Sequence, residues 1–110
     1  MAPSATTIES GSSIATLINV FTVAPDKQRQ LVDLLVAATD EVMQHLPGFV
    51  SANIHASLDG TRVVNYAQWR TVEDFRAMLD DPIATPHLQA AGALATFEPH
   101  LYEVVSVHHA

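Results

Sequence analysis

The chain has 110 residues, 48% of them apolar, a net charge of −7 and no cysteine. That length makes one domain the default, and the apolar fraction is enough for a core. The charge argues against nucleic acid and anionic membrane as partners; the missing thiols exclude disulfides, thiolate metal sites and a Cys nucleophile; no apolar run approaches the roughly 20 residues of a membrane span.

Met1 to Ser13 is small and polar with no basic stretch. It predicts a mobile tail, not a signal peptide, and the composition fits a cytoplasmic protein. Ile14 to Val23 alternates as a first strand, with Leu17, Asn19, Phe21 and Val23 on one face and Ile18, Val20 and Thr22 on the other. Pro25 ends it. Asp26 to Leu46 then carries Leu31, Leu34, Leu35, Ala38 and Val42 as one stripe at helical spacing, with Asp26 suited to the positive end of the helix dipole. Pro47-Gly48 stops that helix.

Phe49 to Ser57 reads as a second strand, with Val50, Ile54 and Ala56 facing one way and Phe49, Ser51, Asn53 and His55 the other. Asp59-Gly60 marks a tight turn, so the third strand, Arg62 to Arg70, runs antiparallel to the second. Thr71 is placed to cap a helix, with Asp74 three residues on. Val72, Phe75, Met78 and Leu79 form its apolar stripe, and Asp81-Pro82 breaks it before a second helical piece from Pro86 to Leu94. Phe97 to Val107 has strand composition, and residues 108–110 form a tail. The order β-α-β-β-α-β predicts an α+β, ferredoxin-like split β-α-β fold over residues 14–107. Two helices cover one face of such a sheet. The other face, with Val20, Ile54 and Val64 as apolar candidates, is left for a second copy of the chain.

The third strand is the most informative stretch. Val63, Asn65, Ala67 and Trp69 share one face, so an Asn and the only Trp of the chain point the same way and are able to line one pocket. Asn is depleted in strands, and a buried Asn needs partners. The six His show no metal-ligand spacing, so no metal site is predicted.

Pro47-Gly48-Phe49, Ser51-Ala52, His55-Ala56-Ser57, Asp59-Gly60-Thr61 and Val63 through Trp69 resemble the antibiotic biosynthesis monooxygenase family. Within it they are most similar to the cofactor-free anthrone monooxygenases of actinorhodin-type polyketide pathways. The resemblance implies a dimeric α+β barrel and an oxygenase that oxidises an aromatic polyketide with O2, anthrone to quinone, in antibiotic or secondary-metabolite biosynthesis. It implies Asn65 and Trp69 as catalytic residues, with His87 matching a His of other members and Asn19 a common family position. His87 joins the catalytic candidates, and Asn19, Asn53, Phe75, Met78 and Phe21 are the candidate substrate-binding residues. A pocket Tyr of that group falls at Phe75 here, and a pocket Arg near Leu88 or Gln89, so a phenolic donor and a cation are replaced.

The chemistry suits these residue types. An enolate of a flat aromatic reacts with oxygen directly once a base removes its proton and donors hold the anion. An amide suits the oxyanion, an indole offers stacking and an N–H, and an imidazole is a natural base. Three other readings stay open. One is a ring-opening oxygenase of an angucycline-type pathway with reduced flavin as co-substrate. Another is haem degradation, although the helix Trp used there falls at Met78. The third is a non-enzymatic barrel binding a small aromatic.

Overall fold

The computed structural model describes residues 4–110. Four strands form one antiparallel sheet in the order β2-β3-β1-β4: β1 Ala15–Val23, β2 Phe49–Ala56, β3 Arg62–Trp69 and β4 Ala95–Tyr102. Three helices, α1 Gln28–Glu41, α2 Val72–Leu79 and α3 Thr85–Leu94, complete the ferredoxin-like order. Among the described residues no helix is long and apolar enough to cross a membrane.

The first helix is shorter than its apolar stripe predicts. A 3-10 turn, Pro25–Lys27, precedes α1, and Val42 leaves the helical region with φ −127° before a second 3-10 turn, Met43–His45. The stripe still works as expected, with Leu31 fully buried and Ala38 and Val42 nearly so. Gln28 docks the start of α1 onto the β2–β3 hairpin, donating from Nε2 to the carbonyls of Ser57 at 3.0 Å and Arg62 at 2.9 Å. Strand β4 begins at Ala95 and ends at Tyr102, earlier at both ends than the predicted Phe97 to Val107.

The hairpin turn is built as Asp-Gly predicts. Gly60 takes φ +81°, which a side chain disfavours. Asp59 Oδ1 accepts from the Thr61 amide at 3.0 Å and from the hydroxyls of Thr61 at 2.7 Å and Ser57 at 2.8 Å. Thr71 caps α2 by accepting the Asp74 amide at 3.0 Å on its hydroxyl.

Strand β2 departs from simple alternation. Phe49 pairs with Trp69, but the next pair is Ser51 with Gln68, so Val50 is an extra residue, a β-bulge. The bulge turns Phe49 to the helix-covered face and keeps Ser51, Asn53 and His55 on the open one. The regular register beyond the bulge corrects two expectations. Ile54, opposite Asn65, packs into the core and not on the open face. Asn53 is on the open face, away from the residues it was grouped with: its amide donates to the Tyr66 carbonyl at 2.9 Å and to Ser51 Oγ at 3.3 Å.

Val20 and Val64, paired across β1 and β3, do lie on the open face and are half-buried there. Of the predicted N-terminal tail, residues 1–3 lie outside the described residues. Beyond them the segment runs against this face. Thr6 Oγ1 donates to Asn53 Oδ1, and the Thr7 carbonyl accepts from Gln68 Nε2 at 2.8 Å. Thr16 and Gln68 are thereby buried.

Under the helices the core falls into two clusters. Leu17, Ala67, Trp69, Phe75 and Met78 belong to one; Phe21, Val23, Leu31, Val63 and Ala91 belong to the other. The row of the sheet between them is Asn19 opposite Asn65.

Candidate active site

A cavity of about 510 Å³ opens where the two clusters part. That volume lies within the range of small-molecule sites. Its floor is the inner face of the sheet: Leu17, Asn19 and Phe21 from β1, and Asn65, Ala67 and Trp69 from β3. Helix α2 adds Phe75 and Met78, and α3 adds His87 and Leu88. Alternation along the strands brings the floor residues to one side. Helical spacing does the same for Phe75 and Met78. Every predicted site residue except Asn53 lines this cavity.

Its walls are mainly apolar, so the few polar atoms stand out. Asn19 Oδ1, Asn65 Oδ1 and Trp69 Nε1 are each buried with no hydrogen-bond partner among the described residues. A buried polar atom left unpaired costs on the order of 1–3 kcal/mol. Three of them around one cavity mark a place where a ligand supplies the partners. Asn19 and Asn65 sit side by side, and each amide carries both a donor and an acceptor that half a turn of the amide exchanges. Trp69 is only 2% exposed and is a pure donor. It stands four residues from Asn65, about 13 Å along an extended strand. The polar atoms are therefore spread along the cavity floor, with apolar wall between them.

His87 sits in the first turn of α3, half-buried and facing the cavity. The loop before that helix is fixed by Asp81, whose Oδ1 accepts the amides of Ile83 at 2.8 Å and Ala84 at 3.2 Å. Ala84 beneath it is fully buried. Two histidines border the cavity; His100 of β4 pairs with Ile18 on the open-face row and its ring meets Tyr102, so His87 is the imidazole on the helix-covered side and the candidate proton acceptor. Among the described residues no three His, Asp or Glu side chains gather as a metal-holding group.

Several wall residues had not been singled out from sequence. Met43 enters from the 3-10 turn after α1, Phe49 through the bulge, and Phe97, Pro99 and Leu101 from β4. The alternation of Phe97, Pro99 and Leu101 was a readable signal for β4. No sequence signal gave the bulge.

The site's chemistry agrees with what known proteins resemble this chain. Residues 14–94 match the family model for antibiotic biosynthesis monooxygenase. Tetracenomycin-F1 monooxygenase of Streptomyces glaucescens is 50% identical over 98 residues, spanning 89% of this chain and 88% of that one. SnoaB of Streptomyces nogalater, a cofactor-independent oxygenase, has a similar structure, with TM-score 0.72, 28% identity, and coverage of 87% of this chain and 97% of that one. The monooxygenase ActVA-Orf6 of Streptomyces coelicolor, solved with nanaomycin D, gives TM-score 0.77 at 28% identity, covering 90% and 93% of the two chains.

Proposed function

The chain belongs to the antibiotic biosynthesis monooxygenase family, and on that premise we propose that it oxidises a flat aromatic polyketide with O2, without a cofactor, in antibiotic biosynthesis. The observation that carries this reading is the set of three unpartnered buried atoms, Asn19 Oδ1, Asn65 Oδ1 and Trp69 Nε1, around a mainly apolar cavity. The relation to a monooxygenase at 50% identity and to a cofactor-independent oxygenase at 28% supports it.

The substrate is a fused phenolic ring system whose central ring carries a CH2 and, across from it, a carbonyl, as in an anthrone. Phe21, Phe75 and Met78 hold its faces. His87 takes a proton from the CH2 and leaves an enolate. The Asn65 and Asn19 amides turn donors towards the enolate oxygen, and Trp69 N–H donates to an oxygen at the far end. The enolate gives one electron to O2, and the carbon radical and superoxide combine. The peroxide takes up a proton and loses water. The carbon's two hydrogens leave in that water and the carbon keeps one oxygen atom as a quinone carbonyl. The protein's work is to make the enolate and hold it dry.

We also propose a homodimer joined through the open sheet face. Ile18, Val20, Val64 and Tyr66 are half-buried there with no helix above them, and Tyr102 and Val105 beyond are 49% and 82% exposed. Sedimentation should give twice the chain mass, and a monomer at micromolar concentration would sink the dimer.

The functional test is oxygen uptake by metal-stripped, flavin-free protein with a tricyclic anthrone. One O2 consumed per quinone formed is expected. Uptake only after reduced flavin is added would overturn the cofactor-free reading. Tight binding of the anthrone with no uptake under either condition would overturn the enzymatic one.

A further inference from the structure

Trp69 closes one end of the cavity, and its N–H is useful only if the indole is held in one orientation. Trp69 and Phe49 are directly opposed across β3 and β2, with ring centroids 5.5 Å apart and planes at 90°. This edge-to-face arrangement is a preferred one for aromatic pairs, and it fixes tilt as well as distance.

Phe49 reaches that position through a sequence of local distortions. Counting back from the Ser51–Gln68 pair, regular alternation would set Val50 opposite Trp69 and turn Phe49 to the open face. The bulge at Val50 reverses this. Gly48, just before, adopts φ +81°, and its carbonyl accepts the Arg70 amide at 2.8 Å, tying the start of β2 to the residue after Trp69. A Cβ at Gly48 would run into the Asp74 side chain. Bulges commonly re-aim one side chain. Here the re-aimed side chain is the one that touches the indole.

We propose that Phe49 is a positioning residue that acts through Trp69, fixing the indole so that its N–H stays directed at the cavity. The kinetic part of this rests on the oxygenase reading above; the orientation of the indole does not. Because the chain has a single Trp, its indole fluorescence and the long-wavelength indole band of its near-ultraviolet circular dichroism, beyond the Tyr and Phe bands, report on residue 69.

The test compares Phe49→Leu, which keeps apolar bulk without a ring edge, with Phe49→Tyr, which keeps the ring. Far-ultraviolet dichroism first checks that each is folded, and Phe49→Met replaces the Leu variant if that one is not. Phe49→Leu should lose most of the indole's near-ultraviolet band and show faster decay of its fluorescence anisotropy. With the anthrone, its kcat should fall about three- to tenfold, the size of an aromatic pair's contribution, whatever KM does, since Phe49 also lines the cavity. Phe49→Tyr should restore both. An indole band unchanged in Phe49→Leu overturns the proposal, as does an equal loss of kcat in the Tyr variant. If the wild type shows no turnover, the oxygenase reading has failed and the spectra alone decide whether Phe49 fixes the indole.

Discussion

Replacing Asn65 with Val should move stability and activity in opposite directions. In the free protein Asn65 Oδ1 is buried and unpaired, a burden of about 1–3 kcal/mol. Val is also the better strand residue, by up to roughly 1 kcal/mol. The side chain faces a void that already exists, so no new cavity is cut into packed core. The variant should therefore be about 1–3 kcal/mol more stable, and each kcal/mol is worth about 4–8 °C in Tm for a domain near this size. Its kcat should fall about 100- to 1000-fold, the usual cost of removing one oxyanion donor.

Scanning calorimetry and oxygen uptake on the same preparations read both quantities. The refuting result is specific. Asn19 and Asn65 are neighbours across the sheet. If one amide rotates, the two bond to each other and are not short of partners at all. Each single Val variant would then be destabilised, because it orphans the other amide. The double variant, Asn19→Val with Asn65→Val, would recover that loss. Additive stabilisation supports two waiting polar groups; a strongly non-additive cycle refutes it.

Other changes probe the scaffold around the site. Thr71→Ala removes the hydroxyl that accepts the Asp74 amide and should cost about 1 kcal/mol in urea denaturation, with catalysis little changed. Gly48→Ala puts a side chain at φ +81° and against Asp74, so it should cost roughly 2–4 kcal/mol. The Thr61 amide and hydroxyl, then the Ser57 hydroxyl, hold the Asp59 carboxyl down from 3.8 to about 2. Its folded value lies below its unfolded one, so its stabilising share is fully present above pH 3.8 and is lost as the pH falls towards about 2. The stability gap between wild type and Asp59→Asn should be constant at neutral pH and close across that acid window.

The ends of most elements were legible because local chemistry marks them. Asp59-Gly60, Thr71 with Asp74, and Asp81-Pro82 each form turns or caps that depend on neighbours in sequence. The face of β3 was legible for a related reason: strand alternation alone brings Asn65 and Trp69 to one side. The face of β2 was not. A bulge is decided by pairing with another strand, and Val50 looks like any other strand residue. That one insertion brought Phe49 to the covered face, while the β2–β3 register, with Asn53 opposite Tyr66 and Ile54 opposite Asn65, set Asn53 on the open face and Ile54 in the core. The early end of α1 is likewise a tertiary result, since Val42 keeps its place in the apolar stripe yet leaves the helix to be buried at 8% exposure. Within the site, the side-by-side Asn pair needed the β1–β3 register, which no pattern in either strand alone supplies.

The chain holds three methionines and no cysteine, and apart from residue 1 both sulfurs, Met43 and Met78, line the cavity beside Trp69. If the proposed peroxide forms in this chamber, the two thioethers are its nearest fuses. Oxidant that goes astray meets a thioether before it meets solvent, and a sulfoxide turns an apolar wall polar. The protein would wear out from within, one misfire at a time. Peptide mapping after many turnovers would read that history as oxygen added at residues 43 and 78.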